Sequence, residues 1–267
     1  MRTIKKYTLS LITATSFLFV GCSNTESDTT ISADSIMEKV DEAYNHISSI
    51  HTNMSFELKN NEQNESAHIT LDMQTLDNPK KAMITITMGS AQTEVPTSLS
   101  LYMDEDYLYM NLFDNWVKQP LTDEMKQSLN LQRATDLVNP RKLDNISFSK
   151  KDDTTIDGAD VYVVSASLRS SILQTVLNQS FSLLPSNDDS LDLDFSKLSD
   201  VTFDYYINKE NYAPIKLSSD FSNLFSAEGE SISGTLDITF DNINSLSDIS
   251  LPDDAKNASD LSSTESN

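Results

Sequence analysis

Ile50-His51-Thr52-Asn53-Met54-Ser55-Phe56-Glu57-Leu58 alternates apolar or β-branched residues with polar ones. That is the period of a strand with one face in a core and the other in water. The period returns in Ala67, Ile69, Leu71, Met73, then in Ala82, Ile84, Ile86, Met88, then in Leu99, Leu101, Met103. The breaks between these runs are turn-like, Asn60-Asn61-Glu62-Gln63-Asn64 after the first and Asp77-Asn78-Pro79 before the third. Half-buried strands joined by short polar connections make an antiparallel meander. Upstream, Ile36, Val40, Ala43, Tyr44 and Ile47 recur at helical spacing behind Ser32 or Asp34 as caps, which predicts an amphipathic helix over 34–47.

Further along, Tyr107 to Leu112 and Trp116-Val117-Lys118 form another hairpin across Asp114-Asn115. Alternation lapses over 121–138, where Leu121, Met125, Leu129 and Leu131 suit short helices that stop before Pro140. Strands resume at Ile146-Phe148 and Val161-Val164, with an Asp157-Gly158 turn between them. Ile172, Leu173, Val176, Leu177, Phe181 and Leu184 predict a second helix over 171–184, followed by an acidic loop from Asn187 to Asp194. Three closing strands carry Val201, Phe203, Tyr205, Ile207, then Ile215, Leu217, Phe221, then Ile232, Leu236, Ile238, Phe240. No internal repeat or Pro/Gly-rich linker divides the chain. The expectation is one α+β domain over 34–255, with a disordered polar tail over 256–267.

The 267 residues are 38% hydrophobic, enough to bury a core. Lys and Arg number 19 against 41 Asp and Glu, a formal charge of −22 that repels a phosphate backbone, so nucleic acid is not an expected partner. Five glycines leave little for phosphate-cradling loops, and one cysteine excludes an internal disulfide and Cys-based metal sites.

Arg2, Lys5 and Lys6 precede a stretch without charge from Tyr7 to Gly21, which reads as a secretory signal over 1–21. The stretch falls short of the roughly 20 apolar residues of a membrane-spanning helix. Phe19-Val20-Gly21-Cys22 resembles a bacterial lipobox. That resemblance implies a diacylglyceryl thioether on Cys22 and cleavage before it, which would place the domain on the outer face of the cytoplasmic membrane. Two acyl chains anchor stably where one is marginal. Ser23 to Ser32 is polar, so residues 22–33 fit a flexible tether.

Catalytic and metal-binding signals are weak. Ser147-Phe148-Ser149-Lys150 matches S-x-x-K as a string, yet it lies in an alternating stretch where i and i+3 point to opposite faces, whereas the serine enzymes need both on one helical turn. Gly229-Glu230-Ser231-Ile232-Ser233-Gly234 has Ser where a nucleophile elbow has its second Gly. His46, His51 and His68 show no ligand spacing. Asp188, Asp189, Asp192 and Asp194 lack the Gly and Glu of a calcium loop, since Leu193 and Ser199 hold those places. Neither enzyme activity nor a cofactor is expected.

Asn115-Trp116-Val117-Lys118, Ile156-Asp157-Gly158-Ala159-Asp160-Val161-Tyr162, the run from Tyr206-Ile207-Asn208-Lys209 to Pro214-Ile215-Lys216, and Leu251-Pro252 together resemble the LolA/LppX-type superfamily of envelope lipid and lipoprotein carriers, through relatives among Gram-positive lipoproteins. The resemblance spans 34–255. It implies a strongly curved antiparallel sheet, an unclosed barrel, whose concave apolar face is covered by helices and holds a hydrophobic ligand. Leu58, Ile69, Leu71, Met73, Ile84, Ile86, Met88, Leu101, Met103, Phe203, Tyr205, Leu236 and Ile238 would face that concavity, under the helices at 34–47 and 171–184. Met54, Met73, Met88, Met103 and Met110 also fall in strands, and flexible thioethers suit a surface that repacks around variable apolar guests. The alternative is a solid core in a cell-surface interaction protein whose acidic face binds a protein partner.

Overall fold

In the computed structural model, which describes residues 31–60, 65–90, 96–112, 115–123, 125, 146–168, 170, 200–227 and 230–261, the first element is helix α1 (Ala33–Tyr44). Ser32 caps it, its hydroxyl oxygen accepting the Ser35 N–H at 3.1 Å, and Asp34 sits in the first turn where the helix dipole favours an acid. The apolar spacing puts Ile36, Met37 and Val40 on one buried stripe, and the helix packs against the strand at Ser147–Lys150. It ends three residues earlier than the predicted 47, in a turn closed by His46 N–H to Ala43 O and Ile47 N–H to Tyr44 O. The predicted helix at 171–184 lies outside the described residues, as do most of 121–138. At the start of the latter, Thr122 Oγ1 accepts the Met125 N–H at 3.2 Å, as an N-cap does.

Among the described residues thirteen strands form one sheet: β1 (Ser49–Asn60), β2 (Glu65–Asp77), β3 (Lys80–Ser90), β4 (Thr97–Met103), β5 (Tyr107–Leu112), β6 (Asn115–Pro120), β7 (Ser147–Lys150), β8 (Thr154–Ile156), β9 (Ala159–Leu168), β10 (Val201–Asn208), β11 (Pro214–Ala227), β12 (Glu230–Asp241) and β13 (Ser259–Asp260). Their spatial order is β13-β6-β5-β4-β3-β2-β1-β12-β11-β10-β9-β7, with β8 paired to β9. Two meanders, β1 to β6 and β7 to β12, are thus joined through the antiparallel β1–β12 ladder. Among the described residues no ladder links β7 back to β6 or β13, so the sheet is wide and unclosed. All the elements belong to a single unit beginning at Ser32. The described residues are mostly strand with one α-helix, as a wide antiparallel sheet requires; the other helices expected from the sequence fall outside them.

Turn chemistry fits the hairpins. Asp157 (φ 50°) and Gly158 (φ 84°) are both left-handed, the pair of conformations that a two-residue hairpin turn between β8 and β9 requires. Asp104 Oδ1 accepts the N–H groups of Asp106 and Tyr107 and closes the turn between β4 and β5.

The polar face carries an ordered crossing that the sequence reading did not anticipate. After β12 the chain turns at Asn242 and Asn244, whose side-chain Oδ1 accepts the Ser48 N–H at 2.7 Å. It then runs over β2 to β6: Asp248 meets Lys81 Nζ at 2.6 Å, Tyr102 donates to Ile249 O at 3.3 Å, and Ile249 packs with Leu76 and Tyr102 among Met83, Tyr109, Trp116 and Leu251. A 3-10 helix (Asp253–Asn257) leads to β13, which lies parallel to β6. The described elements run on to Asp260, past residue 255 where the domain is expected to end.

Near the centre of that face His51 bridges two strands. Its Nδ1 lies 2.9 Å from Asp241 Oδ1 and its Nε2 3.1 Å from Asp72 Oδ2. Burial lowers its pKa, but hydrogen bonds and charge from Asp72 and Asp241 outweigh that and hold it above the usual histidine value. A folded-state pKa above the unfolded one gives stability that is complete below about pH 6.5 and disappears as pH rises through the folded value. The stability advantage of wild type over His51→Gln should accordingly shrink between about pH 6 and pH 8 in urea titrations. An advantage independent of pH would contradict the bridge as a source of stability.

Candidate ligand-binding face

Directly opposed residues in a sheet project to the same side, so cross-strand register decides which side chains share a face. Leu99, Ile86, Leu71, Met54, Ile238, Leu217, Tyr205 and Val164 oppose one another in unbroken succession from β4 to β9, and Lys150 of β7 ends the row. A second row runs Val117, Met110, Leu101, Ile84, Met73, Thr52, Phe240. Met88, Ile69, Phe56 and Leu236 form a third, and Leu58 stands between Ala67 and Gly234. Met103 opposes Ala82, and Phe203 opposes Ala166. All thirteen residues expected to line the ligand face therefore lie on one side of the sheet.

They are not equally covered. Met73, Met103, Phe203, Tyr205 and Ile238 are buried, at 7–8% exposure. Leu58, Ile69, Leu71, Ile84, Ile86, Met88, Leu101 and Leu236 are only half-buried, as are Met54, Phe56 and Met110 beside them. The face thus grades from a packed region into apolar surface that stays partly open. Burial pushes the Tyr205 phenol up, and it pushes up that of Tyr44 on α1, to which Tyr205 adds, so both hydroxyls stay neutral.

Phe56, Phe221 and Gly234 belong to this face but were absent from the expected set. Phe221 meets Phe56 edge-on, with centroids 6.0 Å apart, and meets Phe203 in the same way at 6.1 Å. Phe56 and Phe221 sit on β1 and β11, with β12 between them, and Gly234 of β12 directly opposes both Leu58 and Phe221. The missing side chain at Gly234 leaves room for the Glu57 carbonyl and the Leu58 side chain of β1. Phe56 was legible from its place in the first alternating run; the ring contacts across β12 were not.

At the β9–β10 end of the face lies a basic and aromatic rim. Lys39 Nζ of α1 donates to the Tyr212 hydroxyl at 3.0 Å, and Tyr212 stacks on Tyr162 with centroids 6.0 Å apart. Lys209 Nζ and Lys150 Nζ lie 4.8 and 5.7 Å from the centre of the Tyr162 ring. Asp153 binds Lys209 at 2.7 Å and Lys150 at 2.9 Å. Burial works to raise the Asp153 pKa, but its hydrogen bonds to the two lysines prevail and keep the carboxyl below its usual range.

Ser147 opposes Ser167 and Lys150 opposes Val164, so the S-x-x-K pair straddles the sheet and cannot meet. Gly229 and Cys22 lie outside the described residues. Among the described residues no three metal-ligating side chains converge, and no helix is long and apolar enough to cross a membrane.

A model of a family of unknown function (DUF6612) matches residues 32–260. No curated protein matched the sequence. Among solved structures, lipoprotein LppX of Mycobacterium tuberculosis is similar at 11% identity and a TM-score of 0.45, over 81% of this chain and 99% of that one. LprF of Mycobacterium bovis is similar at 12% identity and 0.47, over 84% and 97%. A LolA superfamily protein of Nitrosomonas europaea gives 13% and 0.25, over 84% and 96%. Likeness at this level assigns no role to any residue.

Proposed function

This chain belongs to the family of unknown function DUF6612, and from its own geometry we propose that it is a non-enzymatic binder or carrier of a lipid, lipoprotein or other hydrophobic ligand, anchored through Cys22 outside the cytoplasmic membrane. The observation that carries this reading is the row Leu99, Ile86, Leu71, Met54, which is half-buried where its continuation Ile238, Leu217, Tyr205 is buried. Apolar area gains roughly 25 cal/mol per Å² when withdrawn from water. A face of leucine, isoleucine and methionine left half-covered is therefore a standing site for an acyl chain. Its methionines accommodate guests of differing shape without a fixed polar code.

The buried residues Met73, Met103, Phe203, Tyr205 and Ile238 favour a second reading, in which the sheet packs a solid core and an acidic face binds a protein partner. One experiment separates the two. Wild type and Cys22→Ser are expressed in a bacterial host and fractionated, and purified protein is examined by native mass spectrometry and organic extraction. The expected result is wild type in the membrane fraction, the variant released, and lipid recovered from both. Recovery of no lipid, with salt-sensitive retention of a protein partner, would favour the second reading; wild type found in the soluble fraction would refute the anchor.

A further inference from the structure

We propose that the rim of Lys39, Lys150, Lys209, Tyr162 and Tyr212 receives the anionic headgroup of an amphiphile whose chains lie on the apolar face; this deepens the carrier reading and rests on it. The apolar row from Leu99 to Val164 ends in an ammonium, that of Lys150. Around that end the fold brings together two more lysines from distant elements, one on α1 and one in the turn after β10, in a chain of formal charge −22 with only 19 basic residues. Carboxylates elsewhere on the surface are screened beyond roughly 8 Å at physiological salt, so the local cations decide what binds there. Glu42, three residues along α1, adds a counter-charge to Lys39.

The arrangement is also held against local preference. Tyr212 has φ 57°, a left-handed conformation uncommon for a bulky side chain. That backbone is fixed by Tyr212 N–H to Asn208 O, and Asn208 N–H to Ala213 O closes the turn. The conformation lays the Tyr212 ring on Tyr162 and its hydroxyl against Lys39. Rings with an apolar body and a polar tip suit the boundary between tails and headgroup. Asp153, clamped between Lys150 and Lys209, occupies the place of an anion and sets how strongly a phosphate or carboxylate competes for them.

Binding to the full chain is compared for lysophosphatidylglycerol, lysophosphatidylcholine and a monoacylglycerol of one acyl length, with inorganic phosphate alone as a fourth probe. Wild type is expected to prefer the anionic amphiphile over the neutral one by at least about fivefold. The triple variant Lys39→Gln, Lys150→Gln, Lys209→Gln should lose that preference while keeping the monoacylglycerol. Asp153→Asn, which releases two of the lysines, should strengthen it, an effect of opposite sign that loss of structure cannot mimic. Equal binding of all three amphiphiles by wild type would overturn the headgroup site and leave the carrier reading intact. Failure of every amphiphile to bind would overturn both. Inorganic phosphate binding as tightly as the anionic amphiphile would identify a free-phosphate site and overturn the proposal in its lipid form.

Discussion

Ile238→Asp should leave the protein unfolded, whereas Ile86→Asp should leave it folded and unable to hold an apolar ligand. The two isoleucines stand in one cross-strand row on one face, so chemistry and orientation are matched and only their cover differs. Ile238 is 7% exposed. An aspartate there places an unpaired charge and a smaller volume in a packed region, a combination that costs about 4 kcal/mol or more. Ile86 is half-buried, so its replacement forfeits about half of the roughly 1.5–3 kcal/mol of a buried aliphatic side chain, and the carboxylate keeps access to water. The ligand has no such escape: a charge amid its contact surface should weaken retention by about tenfold or more. Urea unfolding and lipid retention read the two effects. Equal destabilisation at both positions would mean that the face is closed throughout and would remove the physical basis of the carrier reading.

Gly234→Val should cost about 3 kcal/mol or more, and Gly234→Ala about 2 kcal/mol. The sign is not obvious, because glycine inside a strand is ordinarily a weakness that alanine repairs. Here a Cβ would lie 2.5 Å from the Glu57 carbonyl oxygen and 3.1 Å from Leu58 Cδ2. The first of these is backbone in the paired neighbour strand and cannot swing aside. Relief requires β1 and β12 to separate locally, and that would disturb the ring contact of Phe221 with Phe56. An alanine variant within about 0.5 kcal/mol of wild type by urea unfolding would show that this ladder yields more readily than its register implies.

The strands of both meanders were legible because water on one face imposes period two, and the alternation from Ile50 to Leu58 appears as an unbroken ladder. The pairing of β1 with β12 was not legible, since nothing local in His51 points to Asp241. The crossing at Asp248–Asp260 was hidden for a related reason. Leu76, Met83, Tyr102, Tyr109 and Trp116 stand out of phase with their strands, and each alone reads as ordinary exposed apolar surface. Only side by side do they make a patch that the C-terminal segment covers. The site followed the same rule: membership of a face came from periodicity, but the degree of cover came from elements far away in sequence. The rim lysines gave no signal, because Lys39, Lys150 and Lys209 share neither spacing nor motif.

The β1–β12 ladder also governs the order in which the molecule can assemble. His51 and Asp241 are 190 residues apart, so one flank of the first strand waits for that whole stretch to emerge before it finds its mate. Closing so large a loop is slow, and its entropic cost grows with loop length. Until then a half-finished chain presents an unsatisfied row of amides beside greasy side chains, the combination that invites aggregation. Maturation of this protein is thereby tied to synthesis of β12, and a nascent chain that stops before residue 230 has no native way to close the middle of its sheet.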